Sequence, residues 1–444
     1  MTTKISVIHG DDVTQNDMPQ SVASQDCVSI PGSFHNRKTL LHIDKDTLSK
    51  HILLIGGTGC GKTNVFYFFV DQLKKSMTKN DVMVIFDTKG DYYDRFYSPG
   101  DVVIANTSKY DDISSNWNVY REIAINGWNN RDIINNTYEI TRSFFKEATE
   151  KTQQVFFASA ARDLLSAIII AHIRIGDGNA EFKNLAFNNK ALRHYLDSIS
   201  IEKIIHLLTP FPDLQAVLSY IGNGNNDQAL GVIAELQNTM RQILISNFAE
   251  RGMLSVQEFV RKRNAKALFV EYDLSIGEVL TPVYRLLFDL ALKEALSQGD
   301  SLGSTEGNVY LVCDEFKLLP NLQHIGDGLN FGRGLGIKII AGLQSVEQLF
   351  ETYGESKANN IMAGFSTVFS FRANDAKTRS FVSDLYGNNI VLDQYMSSKG
   401  TISEEKREGK TVEDWQMACL KRGDAIIGLP ESRPFTFHFD KYVR

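Results

Sequence analysis

Cysteine is scarce in this chain: Cys27, Cys60, Cys313 and Cys419 are the only four among 444 residues, and none is spaced as a metal-ligand pair. That excludes a disulfide-stapled secreted scaffold and a cysteine-built zinc site, and it points to a reducing, cytoplasmic compartment. Long apolar runs are lacking too. The most apolar stretch, Leu164 to Ile175, is shorter than a bilayer requires and carries His172 and Arg174, and no signal peptide opens the sequence, so direct membrane insertion is not expected. Nor is positive charge in excess. With 47 Lys and Arg against 53 Asp and Glu, the formal net charge is −6, so any contact with nucleic acid has to come from a local basic surface. No internal repeat is visible, which excludes a repeat array. A hydrophobic content of 43% is ample for real cores, and 444 residues suggest two lobes, or one core with a large insertion.

What the chain does contain is a phosphate-binding loop in its expected setting. Residues 56 to 63 read Gly-Gly-Thr-Gly-Cys-Gly-Lys-Thr, after the apolar run Ile52 to Ile55 and before a helix-like stretch from Asn64. Gly56, Gly59 and Gly61 let the backbone curl with its N–H groups inward, and Gly57, Thr58 and Cys60 complete the cradle at the helix N-terminus. Lys62 reaches the β- and γ-phosphates of a bound ATP, and Thr63 holds Mg²⁺.

Eight short runs rich in Val, Ile, Leu and Phe read as buried strands: Ile52 to Ile55, Val82 to Phe86, Val102 to Ala105, Ala267 to Tyr272, Val309 to Cys313, Ile337 to Ala341, Thr367 to Phe371 and Ala425 to Leu429. Most alternate with helical patterns, the signature of a doubly wound, mostly parallel α/β sheet. From about 120 to 262 strand signal nearly vanishes and helical periodicity takes over, as in Val155, Phe156, Leu164, Leu165, Ile168 and Ile169. The expected organisation is therefore a polar segment 1–36, a nucleotide-binding domain built from 37–119 and 263–444, and an all-α insertion domain at 120–262. Turns are expected at Pro210-Phe211-Pro212 and across Gly222 to Asn226, and Ser403 to Lys410 reads as a charged, solvated loop.

A phosphate loop needs a neighbouring strand that ends in an acid. The run from Asn308 to Cys313 supplies it, ending in Asp314, which orients Mg²⁺, and Glu315, the general base for the attacking water. A second acid, Asp87, closes Val82 to Phe86 and can support the metal if that strand lies beside the loop strand, or simply terminate a turn. Gln344 follows the strand Ile337 to Ala341 and suits a sensor of the γ-phosphate, while Arg333, on the Gly-flanked segment 332–336, suits an arginine that reaches a neighbouring subunit's nucleotide. Singly, each reads equally well as a polar strand end or a surface cation. Arg372 and Arg379 compete for the arginine role, and Lys89, Arg95 and Lys399 are cations on expected loops.

In this order the motifs resemble the coupling ATPases of type IV secretion and conjugation, the TraD/TraG-like branch of the FtsK/HerA class of RecA-like motors. The resemblance rests on residues 56–63, on Phe-Asp-Thr-Lys-Gly-Asp from Phe86, on Cys-Asp-Glu-Phe from Cys313, and on Gly332 through Gln344-Ser345, Gln348-Leu349, Tyr353-Gly354 and Arg372. It extends to Gly423-Asp424-Ala425-Ile426. It implies a RecA-like ATPase with an all-α domain, a hexameric ring, DNA as substrate, and a secretion-system subunit, a membrane-embedded subunit or a relaxase-like protein as partner. It also implies that Lys62 and Thr63 bind nucleotide and Mg²⁺, that Asp314 and Glu315 act in hydrolysis, that Arg333 is the finger in trans and that Gln344 is the sensor. Family members in secretion usually begin with transmembrane helices, which are not read here. Docking at the inner face of the membrane through a partner, or a soluble role in mobile-element maintenance or defence, would account for that. A nucleotide-switched recruitment platform working through the helical domain is the alternative from another class; a monomeric P-loop kinase leaves residues 332–336 and the insertion without roles.

Overall fold

The computed structural model describes residues 2–19, 28–151, 155–222, 227–297, 307–396 and 402–444. Cys27, Lys399 and residues 223–226 of the expected turn lie outside the described residues. In chain order the strands are β1 (Thr2–His9), β2 (Val28–Phe34), β3 (Arg37–Ile43), β4 (Ile52–Ile55), β5 (Val82–Asp87), β6 (Val102–Ile104) and β7 (Lys266–Glu271), followed by β8 (Val309–Cys313), β9 (Ile337–Leu343), β10 (Thr367–Phe371), β11 (Asn388–Met396), β12 (Ile402–Lys410), β13 (Asp424–Gly428) and β14 (Phe435–Phe439). Eleven of them form one sheet in the order β3-β2-β14-β13-β10-β4-β9-β8-β5-β7-β6, and β1-β11-β12 form a small second sheet. From β10 to β6 every neighbouring pair is parallel, while β13, β14, β2 and β3 add an antiparallel wing.

The parallel strands read as unbroken apolar runs because both of their faces are buried. In β5, Val82, Val84 and Phe86 enter one core while Met83 and Ile85 enter the other. The helix Lys62–Ser76 covers the second face with Val65, Phe66, Phe69 and Leu73, and the helix Gly277–Ser297 covers the first. All eight expected strands are present, with ends shifted by a residue or two.

Two stretches differ from expectation. The segment 1–36, read as weakly patterned, contributes β1 and β2. Ser403 to Lys410, read as a charged loop, lies within β12 and pairs with β11 from Ile402 to Lys410. An edge strand solvated on its outer side needs no apolar alternation. Its ladder is backed by Arg407 Nε to Asp393 at 2.7 Å and by Gln394 Nε2 to Glu404 at 2.8 Å.

Between β6 and β7 the described residues form helices, the longest being Asn130–Phe144, Val155–Ile175 and Asp227–Ile243. Asn129 caps the first of these through the Asp132 N–H, and Ile133, Thr137, Ile140 and Phe144 form its buried face. The helix Val155–Ile175 runs 21 residues, beyond the apolar stretch noted above, and by length and composition it could cross a bilayer. Here 67% of its most apolar window is buried, packed against the other two long helices. Pro212 opens a 3-10 helix, Pro212–Tyr220, at the expected break.

One buried carboxyl ties the helical segment's entry to its exit. Glu122, fully buried on the helix Val119–Ile123, accepts from Trp117 Nε1 at 2.9 Å, from Ser255 Oγ at 2.7 Å, from the Val256 and Gln257 amides and from Gln257 Nε2 at 3.1 Å. It thereby caps the helix Val256–Lys262 from across the fold. Replacing Glu122 by Ala strands five donors in a dry interior. The expected cost is about 3 kcal/mol in urea titration, with Glu122→Gln, which keeps an acceptor, losing less.

Candidate functional site

The site lies outside the carboxyl ends of the parallel strands, where doubly wound sheets bind their ligands. After β4 the loop turns on Gly56 (φ +153°), Gly59 (φ +74°) and Gly61 (φ +118°). At Gly56 a Cβ would come within 2.7 Å of Phe371 Cβ, so the residue there has to be glycine for the loop to pass β10. The Gly56 N–H donates to Leu343 O and the Gly57 N–H to Arg372 O, anchoring the loop to the ends of β9 and β10. Lys62, 7% exposed, places Nζ inside the loop, 2.6 Å from Gly56 O and 3.3 Å from Gly57 O.

β8 brings Asp314 beside that loop, where Thr63 Oγ1 donates to Asp314 Oδ2 at 2.7 Å. Tyr92 Oη donates to the same oxygen at 3.1 Å. Burial raises the Asp314 carboxyl above its ordinary pKa, and the Glu315 charge adds to the rise, against the pull of Thr63, Lys62 and Tyr92. β9, between β4 and β8, carries Gln344, whose Nε2 donates to both Glu315 oxygens at 2.9 and 3.0 Å. Thr58 Oγ1 in turn donates to Gln344 Oε1 at 3.4 Å, so a relay Thr58–Gln344–Glu315 joins the loop to the acid. Gly342 permits this approach, since a Cβ there would fall 2.1 Å from the Asp314 carbonyl oxygen.

The structure departs from the sequence reading at Asp87. β5 pairs with β8 and β7 and is separated from β4 by β8 and β9, so the condition for Asp87 to stand beside the loop is not met. Its carboxyl instead accepts the N–H groups of Lys89, Tyr92 and Tyr93, fixing the start of the helix Asp91–Phe96 and through it Tyr92. Arg95, expected on a loop, is on that helix and lies over the Tyr67 ring at 4.7 Å; Lys89 is on a loop and exposed. Arg379 is held by Asp414 and by the carbonyls of Ala373 and Asn374. Arg372 lies at the end of β10, on this chain's own loop, and its charge is felt at Cys60.

Arg333 lies at the other end of β9. The 3-10 turn Gly332–Leu335 precedes β9, so Arg333 and Gln344 stand at opposite ends of one strand, roughly 20 Å apart by the rise of a strand. Arg333 is 58% exposed at its side chain and pairs with exposed Asp46 at 2.8 Å. Beside it lie Phe331, 66% exposed, and a cavity of about 820 Å³ lined in part by Lys45 and the buried Lys338.

A second cavity, about 750 Å³, opens directly off the phosphate loop between Thr63, Tyr67, Arg95, Arg422, His438 and Tyr442. Of these the sequence had pointed to Thr63 and Arg95, while Tyr67, Arg422, His438 and Tyr442 went unassigned. β13 and β14 bring the last of them to the loop from some 380 positions away, with the Asn64 side chain bonded to Asp440 O and Tyr442 N. The only prior signal was Gly423, whose N–H donates to Cys60 O.

With this geometry in view, comparison with known proteins is informative. The chain belongs to the family described as the type IV secretion-system coupling protein DNA-binding domain, whose model matches residues 39–432. It is 23% identical to the coupling protein TraD of Escherichia coli (strain K12), over 84% of this chain and 49% of that protein. It is also 23% identical to the type IV secretion system-coupling protein VirD4 of Bartonella quintana (strain Toulouse), over 55% of this chain and 38% of that one. The chain thus spans about half or less of the length of these curated relatives. Among solved structures it is similar to the bacterial conjugative coupling protein TrwB, unbound, with a TM-score of 0.72 at 21% identity over 90% of this chain and 87% of that one. TrwB has also been solved in complex with ADP and Mg²⁺, where the TM-score is 0.70 at 20% identity over the same shares. The fold is that of TrwB: a mostly parallel sheet of the RecA-like type with a helical part.

A carboxyl pair at the edge of the site sets a testable pH dependence. Burial, and the facing Asp87, push the Glu271 carboxyl up to about 9, so it holds its proton at neutral pH while Asp87 receives backbone amides. Between the ordinary carboxylate range and about 9 the unfolded chain is ionised here and the folded chain is not, so stability falls as pH rises through that window. Glu271→Gln removes this titration. Calorimetry at pH 5 and pH 9 is expected to show the variant gaining on the parent by a few degrees at the higher pH; parallel profiles would refute the assignment.

Proposed function

We propose that this chain is an ATP-hydrolysing motor that assembles head to tail into a ring, as a hexamer, and moves DNA or delivers a nucleoprotein substrate. The observation that carries the reading is the separation of Gln344 and Arg333 on β9. One end of the strand faces this chain's own phosphate loop; the other presents an exposed arginine that cannot return to it. A nucleotide site completed by that arginine needs a second copy, and exposed Phe331 suits the contact. Repetition of such a heterologous contact closes into a ring.

In this reading the amides of residues 56–61 and Lys62 hold the phosphates, and the cavity between Tyr67 and His438 takes base and ribose. Thr63 and Asp314 fit a Mg²⁺ ion, because their oxygens already meet and a divalent charge would ionise the buried carboxyl. Mg²⁺ bound there supplies counter-charge to the β- and γ-phosphates. Glu315 accepts the proton of the attacking water, Gln344 senses whether the γ-phosphate is present, and the neighbour's Arg333 stabilises transition-state charge. Asp87 acts at a distance, by holding Tyr92 against Asp314. The unit 120–262 forms the substrate-facing helical domain on a nucleotide unit made of 37–119 and 263–444.

DNA, a secretion-system or membrane-embedded subunit and a relaxase-like protein are the partners supported by likeness to the coupling proteins, with the chain working at the inner face of the membrane through such a partner. Binding of ADP and Mg²⁺ by TrwB supports the nucleotide.

Lys62→Ala is expected to abolish nucleotide binding, whereas Glu315→Gln should bind ATP and hydrolyse it roughly 10²–10⁴-fold more slowly. Arg333→Ala should bind nucleotide normally and still be inactive. Mixed equally with Lys62→Ala it should regain activity, because about one interface in four then pairs an intact loop with an intact arginine. A mixture as inactive as its components refutes action in trans, and a rate indifferent to single- and double-stranded DNA sinks the motor. Full function in Glu315→Gln would favour a nucleotide-switched platform instead.

A further inference from the structure

Where the helical unit leaves and rejoins the sheet there is a cavity of about 530 Å³ that the motor reading does not use. Its floor is apolar. Tyr120 and Phe187 are buried and stacked, with centroids 5.0 Å apart and planes at 13°, and Trp128 packs on Phe187 at 5.2 Å. At the mouth Trp128 and Met253 are 41% and 67% exposed. Large apolar side chains left open beside a pocket mark a place where another apolar group docks, and an exposed thioether adapts to its shape.

The rim is basic. Arg121, Lys183, Arg251, Arg261 and Lys262 surround the mouth, against Glu258 as the one lining carboxylate among the described residues. Arg121 and Lys262 share Glu258, Arg261 is held by Glu294, and Lys183 lies 3.7 Å from Asp177. Arg251 donates instead to the carbonyl and amide oxygens of Asn184, neutral partners that leave its charge uncompensated. An apolar floor under a net positive rim is complementary to an apolar side chain flanked by carboxylates.

We propose that this cavity is the docking site for an acidic segment of a partner protein, with one apolar side chain seated beside Trp128 and Met253 and a flanking carboxylate on Arg251. This goes beyond the nucleotide reading and stands without it. Single-stranded nucleic acid fits less well, since such sites offer open ring faces along a basic track. Here two of the rings are stacked on each other, Lys183 Nζ lies 4.6 Å above the third, and the cations converge on a pocket. The cavity also adjoins the Glu122 clamp through Arg121 and Met253, so a bound segment would stiffen the joint between helical unit and sheet.

The full chain can be probed with an array of labelled nine-residue peptides carrying a central Leu, Phe or Trp among Asp and Glu, with Lys-substituted counterparts and an oligothymidylate in parallel. Acidic peptides are expected to bind at least ten-fold more tightly than their Lys counterparts. Arg251→Glu and Met253→Asp, both at open positions, should each weaken them at least ten-fold and leave basal nucleotide hydrolysis unchanged. Trp128→Phe should keep the anisotropy signal and remove the fluorescence change. The proposal is overturned if no acidic peptide binds, if the Lys peptides bind equally, or if neither substitution matters. Displacement of the peptides by the oligothymidylate would reassign the cavity to nucleic acid, and overturns it too.

Discussion

The insertion of β9 between β4 and β8 is the constraint on which the rest of the site depends. Its parallel register, with Leu53 opposite Ala341 and Leu311 opposite Ile339, brings three strand ends to one edge of the sheet. The phosphate loop, the acid pair and Gln344 leave from those ends. A slip of one residue would turn every side chain on β9 to the opposite face and carry Gln344 away from Glu315. Gly342 is the point of closest approach, and the Asp314 backbone occupies the volume that any side chain there would need.

The same strand separates the two halves of the proposed intersubunit chemistry. β9 is hydrogen-bonded on both sides and its seven residues are buried, so it moves with the sheet and does not bend within it. Information passing from Gln344 at one end to Arg333 at the other is therefore best carried by rotation of whole subunits, as packed interfaces allow. In that proposal the helical unit would turn with the sheet. Arg285 meets Glu147, and Lys293 meets Glu139, across its contact with the helix Gly277–Ser297, while Glu122 closes its two connections. The buried Glu122 and Arg285, each supplied with partners, give that joint one geometry where apolar packing alone would tolerate several.

Much of this was legible beforehand, for a physical reason. Strands buried on both faces must be apolar throughout, so β4, β5, β8, β9 and β10 announce themselves, and a loop that wraps phosphate needs glycines and a lysine in fixed order. What escaped was the half-exposed and the long-range. β3, β12 and β14 carry polar or charged residues that meet solvent, while β1, β2 and β11 pair with strands far along the chain. Tyr92 gave no sign because a tyrosine in a short helix is ordinary until Asp314 arrives beside it. Which of its two roles Asp87 takes was open because strand order is a matter of pairing, and nothing local to Val82 to Phe86 says which strand will be its neighbour.

The chain itself determined which residues are equipped for phosphate, metal and proton: Lys62, Thr63, Asp314 and Glu315 have those properties wherever they are put. Tertiary structure decided which of them meet. It joined Thr58, Gln344 and Glu315, gave Asp87 to a helix start, brought Arg422 and Tyr442 to the phosphate loop, and sent Arg333 to the far end of its strand. Chemical capacity belongs to side chains and their immediate neighbours. Distance between groups hundreds of residues apart belongs to the register and order of strands, which the packing of the whole chain selects.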